Sequence, residues 1–243
     1  MINVFITVRS KSTRLPNKCF LPFGKLTVVE HVMARAKHAN LRPIICTTNN
    51  AEDKEIVALS RKHNIDYFCG SEINKLKRWD DCCLHYNLKS FHTVDADDPF
   101  FCSDEVTRSH ELLLTGFDMV TPSPSSSNGG ATVGYSLTAN IVKKACQNIK
   151  DNTDTEMMWG YMNKVENIKI ANLTDPLDSI INERMTLDYE EDYKKLLKVL
   201  EIVGPFGTRK EVSDCLIENK HFKDINDSKN AEWKKNQINK TLK

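Results

Sequence analysis

The chain has 243 residues, of which 40% are hydrophobic and 28% charged, and its 34 basic and 33 acidic side chains leave a net charge of +1. This length fits one large domain or a domain with an extension, and the near-neutral charge argues against a protein that coats nucleic acid, although it allows a local phosphate site. No apolar run of about 18 residues and no signal-peptide pattern is found, so we expect no membrane span. The eight cysteines form no C-x-x-C pair, which favours reduced thiols in a cytoplasmic protein.

Short β-like segments alternate with helical ones along most of the chain. Apolar runs rich in β-branched residues predict strands, and amphipathic periods or helix caps predict helices. The predicted strands are Asn3–Val8, Pro43–Thr48, Ile65–Cys69, Ser90–Asp95, Asp118–Thr121 and Ala131–Thr138. The predicted helices are 28–39, Glu52–His63, Lys75–Leu88, Ser103–Leu114, Ala139–Ile149 and Tyr189–Val203. Because the alternation is typical of βαβ units, it predicts parallel strands, and ligands bind beyond the carboxyl ends of such strands.

Three loops follow predicted strands at that edge of the sheet, and these are residues 9–18, 70–78 and 95–99. A further segment, Pro122–Gly130, has the strongest loop composition of the chain. Its short length favours a mobile loop near the site over a linker between domains.

The loop after the first strand carries the strongest chemical signal. Ten residues contain four cations and three hydroxyl groups, namely Arg9, Lys11, Arg14, Lys18, Ser10, Ser12 and Thr13. Cations, hydroxyls and backbone N–H groups at a strand end form a cradle for anions. The segment lacks the GxxxxGK[ST] pattern of a P-loop, so composition alone is equally compatible with a solvated charged loop.

The same segment, Arg9–Lys18, resembles the R-x-x-S-x-R-L-P-x-K signature of the CMP-sugar-acid synthetases. This family includes the 3-deoxy-manno-octulosonate (Kdo) and acylneuraminate cytidylyltransferases, and the resemblance is strongest to their relatives in spore-coat polysaccharide biosynthesis. Further stretches resemble the family in the same order, and these are Leu21–Val32, Ile45–Asn49, Gly70–Glu72 with Arg78, Val94–Pro99 and Arg184–Asp192. The chain departs from the pattern at Asp95 and Ala96, where small or glycine residues are usual, and over most of 129–178.

The resemblance implies a Rossmann-like α/β fold of the nucleotide-diphospho-sugar transferase type, with a mixed, mostly parallel sheet flanked by helices. It divides the chain into a nucleotidyltransferase domain, residues 1–204, and a helical, Lys-rich extension, residues 205–243. Within the domain, residues 129–178 would shape the acceptor pocket and the dimer. The resemblance also implies a cytoplasmic homodimer that binds neither nucleic acid nor membrane.

The implied reaction is a Mg²⁺-dependent transfer of CMP from CTP to a small acidic acceptor, such as Kdo or a nonulosonic acid, with release of pyrophosphate for surface glycan synthesis. Asp97 and Asp188 match the family's metal-binding aspartates, and Mg²⁺ prefers one or two carboxylates together with substrate phosphates. Without the resemblance, the sequence favours a turn or helix cap before Pro99 for Asp97 and the N-cap of the last predicted helix for Asp188. By the same resemblance the catalytic residues are Arg9, Lys18 and Asp97. The implied nucleotide-binding residues are Arg9, Ser12, Arg14, Lys18, Ser71 and Arg78.

Three alternative functions stay open. The first is an enzyme that uses CTP to activate a phosphonate or another phosphorylated acceptor. The second is a glycosyltransferase that uses Asp95-Ala96-Asp97 as a D-x-D metal motif. The third is a non-catalytic nucleotide-binding paralogue. The acceptor, the strictness for CTP and the role of the Lys-rich tail are left open by the sequence. Trp79, Trp159 and Trp233 are expected to be packing or interface residues.

Overall fold

A computed structural model describes residues 1–147 and 149–233 of the chain, so residues 234–243 of the predicted Lys-rich extension lie outside the described range. The strands are β1 Asn3–Thr7, β2 Pro22–Phe23, β3 Leu26–Thr27, β4 Arg42–Thr48, β5 Asp66–Gly70, β6 Ser90–Asp95, β7 Met119–Thr121, β8 Ser136–Thr138 and β9 Ile170–Asn172. The helices are α1 Val28–His38, α2 Lys54–Lys62, α3 Lys75–His85, α4 Ser103–Leu114, α5 Ala139–Cys146, α6 Trp159–Met162, α7 Glu190–Val203, α8 Arg209–Glu218 and α9 Phe222–Asn226.

Among the described residues, seven strands form one sheet in the order β5-β4-β1-β6-β8-β7-β9, and β2 pairs only with β3. Every neighbouring pair in the large sheet is parallel except those of β8, which runs antiparallel to both β6 and β7. The predicted Rossmann-like α/β fold with a mixed, mostly parallel sheet is therefore confirmed.

Several predicted boundaries differ from the structure, most of all the start of β8 and the ends of α3 and α5. The predicted strand 131–138 forms a regular ladder only from Ser136. Just before it, the Tyr135 N–H donates to the Thr93 hydroxyl at 2.9 Å instead of to a backbone carbonyl, and Gly134 lies so close that a Cβ there would be 2.1 Å from the Thr93 carbonyl oxygen. The helix α3 ends three residues earlier than predicted. Asn87 adopts a φ of 51°, which is left-handed and ends a helix.

The core lies on both faces of the sheet, because side chains alternate along each strand. Val4 and Ile6 of β1 are fully buried on the face covered by α1, α2 and α4. On the other face, Phe5 stacks on Phe91 with ring centroids 4.0 Å apart, and Trp79 of α3 packs against that pair. A sheet buried on both faces is typical of parallel strands joined by crossover helices.

The segment after residue 204 packs closely against the sheet domain. Arg35 of α1 donates hydrogen bonds to the carbonyl oxygens of Phe101, Pro205 and Gly207, at 2.8, 3.0 and 2.6 Å. Apolar side chains of α8 and α9 join a core cluster with α7 and with the start of α1. Within the described part of the chain, no helix is both long enough and apolar enough to cross a lipid bilayer.

His92 of β6 makes the stability of the fold sensitive to acid. Its ring is fully buried, Nε2 accepts a hydrogen bond from the Gly134 N–H at 3.2 Å, and Nδ1 lies 2.8 Å from the Ser136 hydroxyl. Burial lowers the pKa of His92 to about 3, with a smaller contribution from His110. The unfolded chain binds this proton near its ordinary pKa of about 6.5, so it holds more protons than the folded chain below that pH.

The free energy of unfolding is therefore expected to fall as the pH drops from about 6.5 towards 3, by about 1.4 kcal/mol per pH unit for this one histidine. Urea denaturation of the wild type and of His92→Gln at pH 7.5 and pH 5 measures the effect. The variant is expected to show the smaller pH dependence, with His31, whose pKa burial lowers to about 4, supplying part of what remains. An unchanged difference between the two pH values in His92→Gln, or an equal effect of the exposed control His38→Gln, would contradict this.

Candidate active site

The carboxyl ends of β1 and β6 lie side by side, with Thr7 opposite Asp95, and the loops that follow them line a cleft of about 1170 Å³. All of the predicted site residues except Ser71 line this cleft. The remaining walls come from the segments 126–135 and 156–159, from Thr186, and from Lys75 and Trp233.

Lys18 joins the two predicted metal-binding carboxylates. Its Nζ atom lies 2.5 Å from an oxygen of Asp97 and 3.0 Å from an oxygen of Asp188, and it also donates to the Leu187 carbonyl at 2.8 Å. Burial opposes the positive charge, but the two carboxylates outweigh it, so the pKa of Lys18 is raised above its usual value. Arg14 contacts the same oxygen of Asp188 at 2.5 Å. The sequence thus brings two cations and two carboxylates, far apart along the chain, to one point.

A buried network holds Asp188 from behind. Arg184, whose side chain is fully buried, donates to Asp188 at 3.0 Å and to Asp192 at 2.9 and 3.0 Å. Asp192 in turn accepts the backbone N–H groups of Asp188 and Tyr189 at 2.9 and 3.0 Å. Asn226 of α9 donates to Asp192 at 2.8 Å and to the Arg184 carbonyl at 3.1 Å. The orientation of Asp188 is therefore fixed by residues that reach as far as α9.

Three carboxylates converge at the end of β6. One oxygen of each of Asp95, Asp97 and Asp98 lies within 4.8 Å of the other two. Burial raises the pKa of Asp98 well above its usual value, and the neighbouring carboxylates Asp97 and Asp95 raise it further. Such a concentration of negative charge is stabilised by a cation.

The carboxylates Asp97 and Asp188 fit a divalent cation. Their oxygens are the donors that Mg²⁺ and Mn²⁺ prefer, and the Lys18 ammonium already occupies a position between them as a monovalent stand-in. Asp97 and Asp188 would hold the metal. Asp95 and Asp98 lie within reach as additional acidic groups.

Asp53 anchors the cation-rich loop, residues 9–18, to the edge of the sheet. Both the N–H and the hydroxyl of Ser10 donate to one oxygen of Asp53, at 2.8 and 2.7 Å, and the Thr48 hydroxyl donates to the other. Burial alone would raise the pKa of Asp53, but these hydrogen bonds lower it, so the group is an anion. Sequence reasoning gave Asp53 no role, because it lies in an ordinary helical segment, 43 residues from its partner Ser10.

Arg9 and Ser12 line the cleft without strong partners. Arg9 lies 3.5 Å from Glu156, and both side chains are well exposed. The Ser12 hydroxyl accepts the N–H of Leu15 at 3.5 Å. Both side chains therefore face a space that a phosphate chain can fill.

Arg78 and Ser71 occupy different positions. Arg78 is buried at the base of the cleft and donates from Nη1 to the Ser71 carbonyl at 2.6 Å, whereas its Nε has no partner within the described residues. The Ser71 hydroxyl accepts the Asn74 N–H at 3.0 Å, and Ser71 is not part of the cleft lining. Any contribution of Ser71 to the site is therefore made through Arg78 or through the turn before α3.

The segment after residue 204 contacts the serine-rich loop, Pro122–Gly130. Arg209 of α8 is buried and its Nη2 donates to the Ser125 hydroxyl at 2.9 Å, while Nη1 contacts Glu105 and lies 2.7 Å from the Thr132 hydroxyl. Asp175 also accepts from the Ser125 hydroxyl, at 2.5 Å. These contacts place residues 126–129 against the cleft.

The three tryptophans, for which packing or interface roles were predicted, all line the cleft. Trp79 is fully buried and donates from Nε1 to the Thr7 hydroxyl at 3.2 Å, so it packs beneath the site. The Trp233 ring lies 5.0 Å from the Arg184 guanidinium, on the side of Asp188. No sequence pattern marks these positions, because each lies on a separate helical segment.

Asn226→Ala is expected to weaken divalent-metal binding, since it removes a support of the network behind Asp188. Loss of such supporting hydrogen bonds typically costs about 10-fold in metal affinity. Mn²⁺ titration in the presence of CTP, followed by water-proton relaxation, measures the affinity. Asn230→Ala is the matched control, because among the described residues the half-buried Asn230 side chain bonds to Asp227 and not to the network behind Asp188. Equal Mn²⁺ affinities in the two variants would separate Asn226 from the metal site.

The amino-acid sequence is similar to a known protein family and to a protein of another organism. Residues 4–115 match the sequence model of a family described as cytidylyltransferase. The chain is 26% identical over 230 residues to an uncharacterized protein of Methanocaldococcus jannaschii, covering 91% of this chain and 92% of that protein. The matched family segment contains the cation-rich loop, Arg78 and Asp97, whereas Asp188 and the segment after residue 204 lie beyond it.

Solved structures share the fold. A cytidylyltransferase from Leptospira borgpetersenii is similar with a TM-score of 0.79 and 20% identity, over 91% of this chain and 96% of that chain. CMP:2-keto-3-deoxy-manno-octonic acid synthetase, solved in complex with CTP, is similar with a TM-score of 0.61 and 12% identity, over 83% of this chain and 99% of that chain. A Mycobacterium tuberculosis protein solved in complex with manganese is similar with a TM-score of 0.55 and 11% identity, over 81% of this chain and 97% of that chain.

Proposed function

We propose that this chain, an enzyme of the nucleotidyltransferase class whose residues 4–115 match the cytidylyltransferase family, transfers CMP from CTP to a small anionic acceptor and releases pyrophosphate. One observation carries the proposal. Asp97 and Asp188 meet through Lys18 at the carboxyl edge of the sheet, beside Arg14 and the rest of the cation-rich loop. A pair of carboxylates next to a cradle of cations is what binding of a metal–triphosphate complex requires.

In the proposed reaction, Arg9, Arg14 and Lys18 bind the β- and γ-phosphates. Their charges offset the negative charge that collects on pyrophosphate as the bond between the α-phosphorus and the bridging oxygen breaks. Ser12 and the backbone N–H groups of the loop supply further donors. Lys18 exchanges its carboxylate partners for phosphate oxygens when the substrate binds.

Asp97 and Asp188 would hold the metal ion, which supplies charge neutralisation at the α-phosphate when bound. The Arg184–Asp192 network keeps Asp188 in its ligating orientation. An acceptor oxygen forms the new bond to the α-phosphorus as the bond to pyrophosphate breaks, and a hydroxyl acceptor releases its proton to solvent water in this step. Little covalent chemistry falls to the protein, and positioning and charge account for the rate.

The finer parts of the proposal extend the same argument. The acceptor is a 2-keto-3-deoxy sugar acid such as Kdo or a nonulosonic acid, the metal is Mg²⁺, and the product serves surface glycan synthesis, as in the spore-coat polysaccharide relatives. Residues 1–204 form the catalytic domain with 129–178 at the acceptor and dimer side, and 205–243 form the extension. The enzyme acts as a homodimer in the cytoplasm. Support comes from the family match, from the resemblance over residues 3–203 and from the likeness to CMP:2-keto-3-deoxy-manno-octonic acid synthetase.

Pyrophosphate release tests the proposal. Purified protein with Mg²⁺ is given each of CTP, UTP, ATP, GTP and dTTP, against sugar acids, phosphonates and phosphorylated alcohols. Release with CTP and a sugar acid is the expected result. Release with CTP and a phosphonate would correct the acceptor class, and release with another nucleotide would correct the donor. CTP binding without release on any acceptor would favour the non-catalytic alternative.

A further inference from the structure

Lys75 is a buried cation that the proposed mechanism does not use. Only 8% of its side chain is exposed, it lines the cleft, and its Nζ atom lies 5.0 Å from the centre of the Trp79 ring. Burial opposes its charge, but Asp95 and Glu156 raise the pKa of Lys75, so it is an ammonium ion. A fully desolvated ammonium is costly unless it is well paired.

The partner of Lys75 is weak. An oxygen of Asp95 lies 3.4 Å from Nζ, which is at the limit of a hydrogen bond, and 47% of the Asp95 side chain is exposed. Within the described residues this is the one hydrogen bond made by Nζ, although an ammonium has three N–H donors. Asp95 is also the position at which the chain departs from the small residues usual in the family it resembles. The Lys75 ammonium therefore has donors left over for a further anionic partner.

The position of Lys75 separates it from Lys18. Its helix α3 packs on the face of the sheet that contains Phe5 and Phe91, and Asp95 shares the Phe91 side of β6 because side chains alternate along a strand. Lys18 lies in a short turn that packs against α1, on the opposite face. Asp97 lies between the two groups of charges, since its oxygens approach both Asp95 and Lys18.

This arrangement decides where the acceptor sits. Attacking and leaving oxygens lie roughly in line through the phosphorus, so the acceptor occupies the side away from the pyrophosphate. In the proposed function Arg9, Arg14 and Lys18 bind the pyrophosphate. Because Arg14 and Lys18 contact Asp188, they hold it on the Asp188 side of Asp97, which leaves the α3 side for the acceptor. Besides Lys75, that side is lined by Tyr135 and Trp159.

We propose that Lys75 binds the anionic group of the acceptor, a carboxylate or a phosphonate, and that Asp95 holds the ammonium in position for it. The inference rests on the proposed function and names the residue that determines its acceptor class. It makes Lys75 a specificity-determining residue that contacts the acceptor and not the nucleotide.

The test uses two simple probes of the acceptor's anionic group, pyruvate for a carboxylate and methylphosphonate for a phosphonate. Each is titrated onto protein saturated with Mg²⁺ and α,β-methylene-CTP, which cannot transfer CMP, and binding is followed by saturation-transfer NMR. The wild type is expected to bind one probe more tightly than the other. Lys75→Met is expected to weaken that binding by about 10-fold, the loss typical of one charged hydrogen bond, and to leave the affinity for the CTP analogue unchanged.

Lys77→Met is the matched control, because Lys77 lies two residues along α3, is half-buried, and contacts only Asp81 among the described carboxylates. Lys75→Gln replaces Lys75→Met if the latter does not fold, as judged by circular dichroism. Probe binding that is equal in the wild type and the Lys75 variants overturns the inference, and so does the absence of binding to the wild type. Failure to bind the CTP analogue would instead overturn the proposed function, so the two failures are distinguishable.

Discussion

Asp97→Asn is expected to abolish nucleotidyl transfer while the protein stays folded. The substitution removes the negative charge that pairs with Lys18 and that, in the proposed function, would hold the metal, and it keeps the size of the side chain. We expect kcat/KM for pyrophosphate release to fall by at least about 10³-fold, equivalent to about 4 kcal/mol of transition-state free energy. Because Asn has nearly the same shape as Asp and 26% of the Asp97 side chain is exposed, the substitution leaves no cavity in the core.

Two further measurements make this prediction specific. Asp214→Asn removes a carboxylate of α8 that pairs with Lys210 at the surface, and it is expected to leave turnover and the circular dichroism spectrum unchanged. Mn²⁺ binding in the presence of CTP is expected to fall in Asp97→Asn and not in Asp214→Asn. Near-wild-type turnover of Asp97→Asn would remove Asp97 from the mechanism, and normal Mn²⁺ binding with lost turnover would assign it a role other than holding metal.

The sequence predicts the sheet edge well because its signals are local. The apolar run before Arg9 and the one before Asp97 each mark a strand that ends in polar residues, and parallel strands carry their ends to one edge. The fold class follows from the same alternation. The direction of the reversed strand β8 did not follow, since it depends on antiparallel pairing with β6, which joins Ser136 to His92, 44 residues away along the chain.

The supporting residues escape sequence reasoning for a different reason. Asp53, Lys75 and Asn226 each lie in or beside an ordinary helical segment, and nothing in their neighbours separates them from solvent-facing polar residues. Their roles depend on partners that only the folded chain supplies. The contact between Lys18 and Asp188, for example, joins residues 170 positions apart. Family resemblance assigned those two residues to the site, but it gave no account of the ammonium lying between the two carboxylates.

That position of Lys18 leads to the second large effect. Lys18→Met is expected to reduce kcat/KM by about 10²-fold to 10³-fold, since one cation at the developing pyrophosphate is lost. It is also expected to lower the free energy of unfolding without metal by about 2 kcal/mol, because Asp97 and Asp188 lose the cation that separates them. Arg14 and Arg184 still pair with Asp188, which limits the loss of stability.

Mg²⁺ distinguishes this explanation from a general defect. If Asp97 and Asp188 hold the metal as proposed, the Lys18 ammonium of the wild type competes with it for these carboxylates, whereas the variant presents them without a competitor. A ligand that binds only the folded state stabilises it more as its affinity rises, so Mg²⁺ is expected to raise the melting temperature of Lys18→Met more than that of the wild type. The control Lys25→Met removes an exposed lysine outside the cleft and is expected to respond to Mg²⁺ as the wild type does. An equal Mg²⁺-induced shift of the melting temperature in Lys18→Met and in the wild type would show that the ammonium and the metal do not share a site. The proposal that Asp97 and Asp188 are the metal ligands would then also fail.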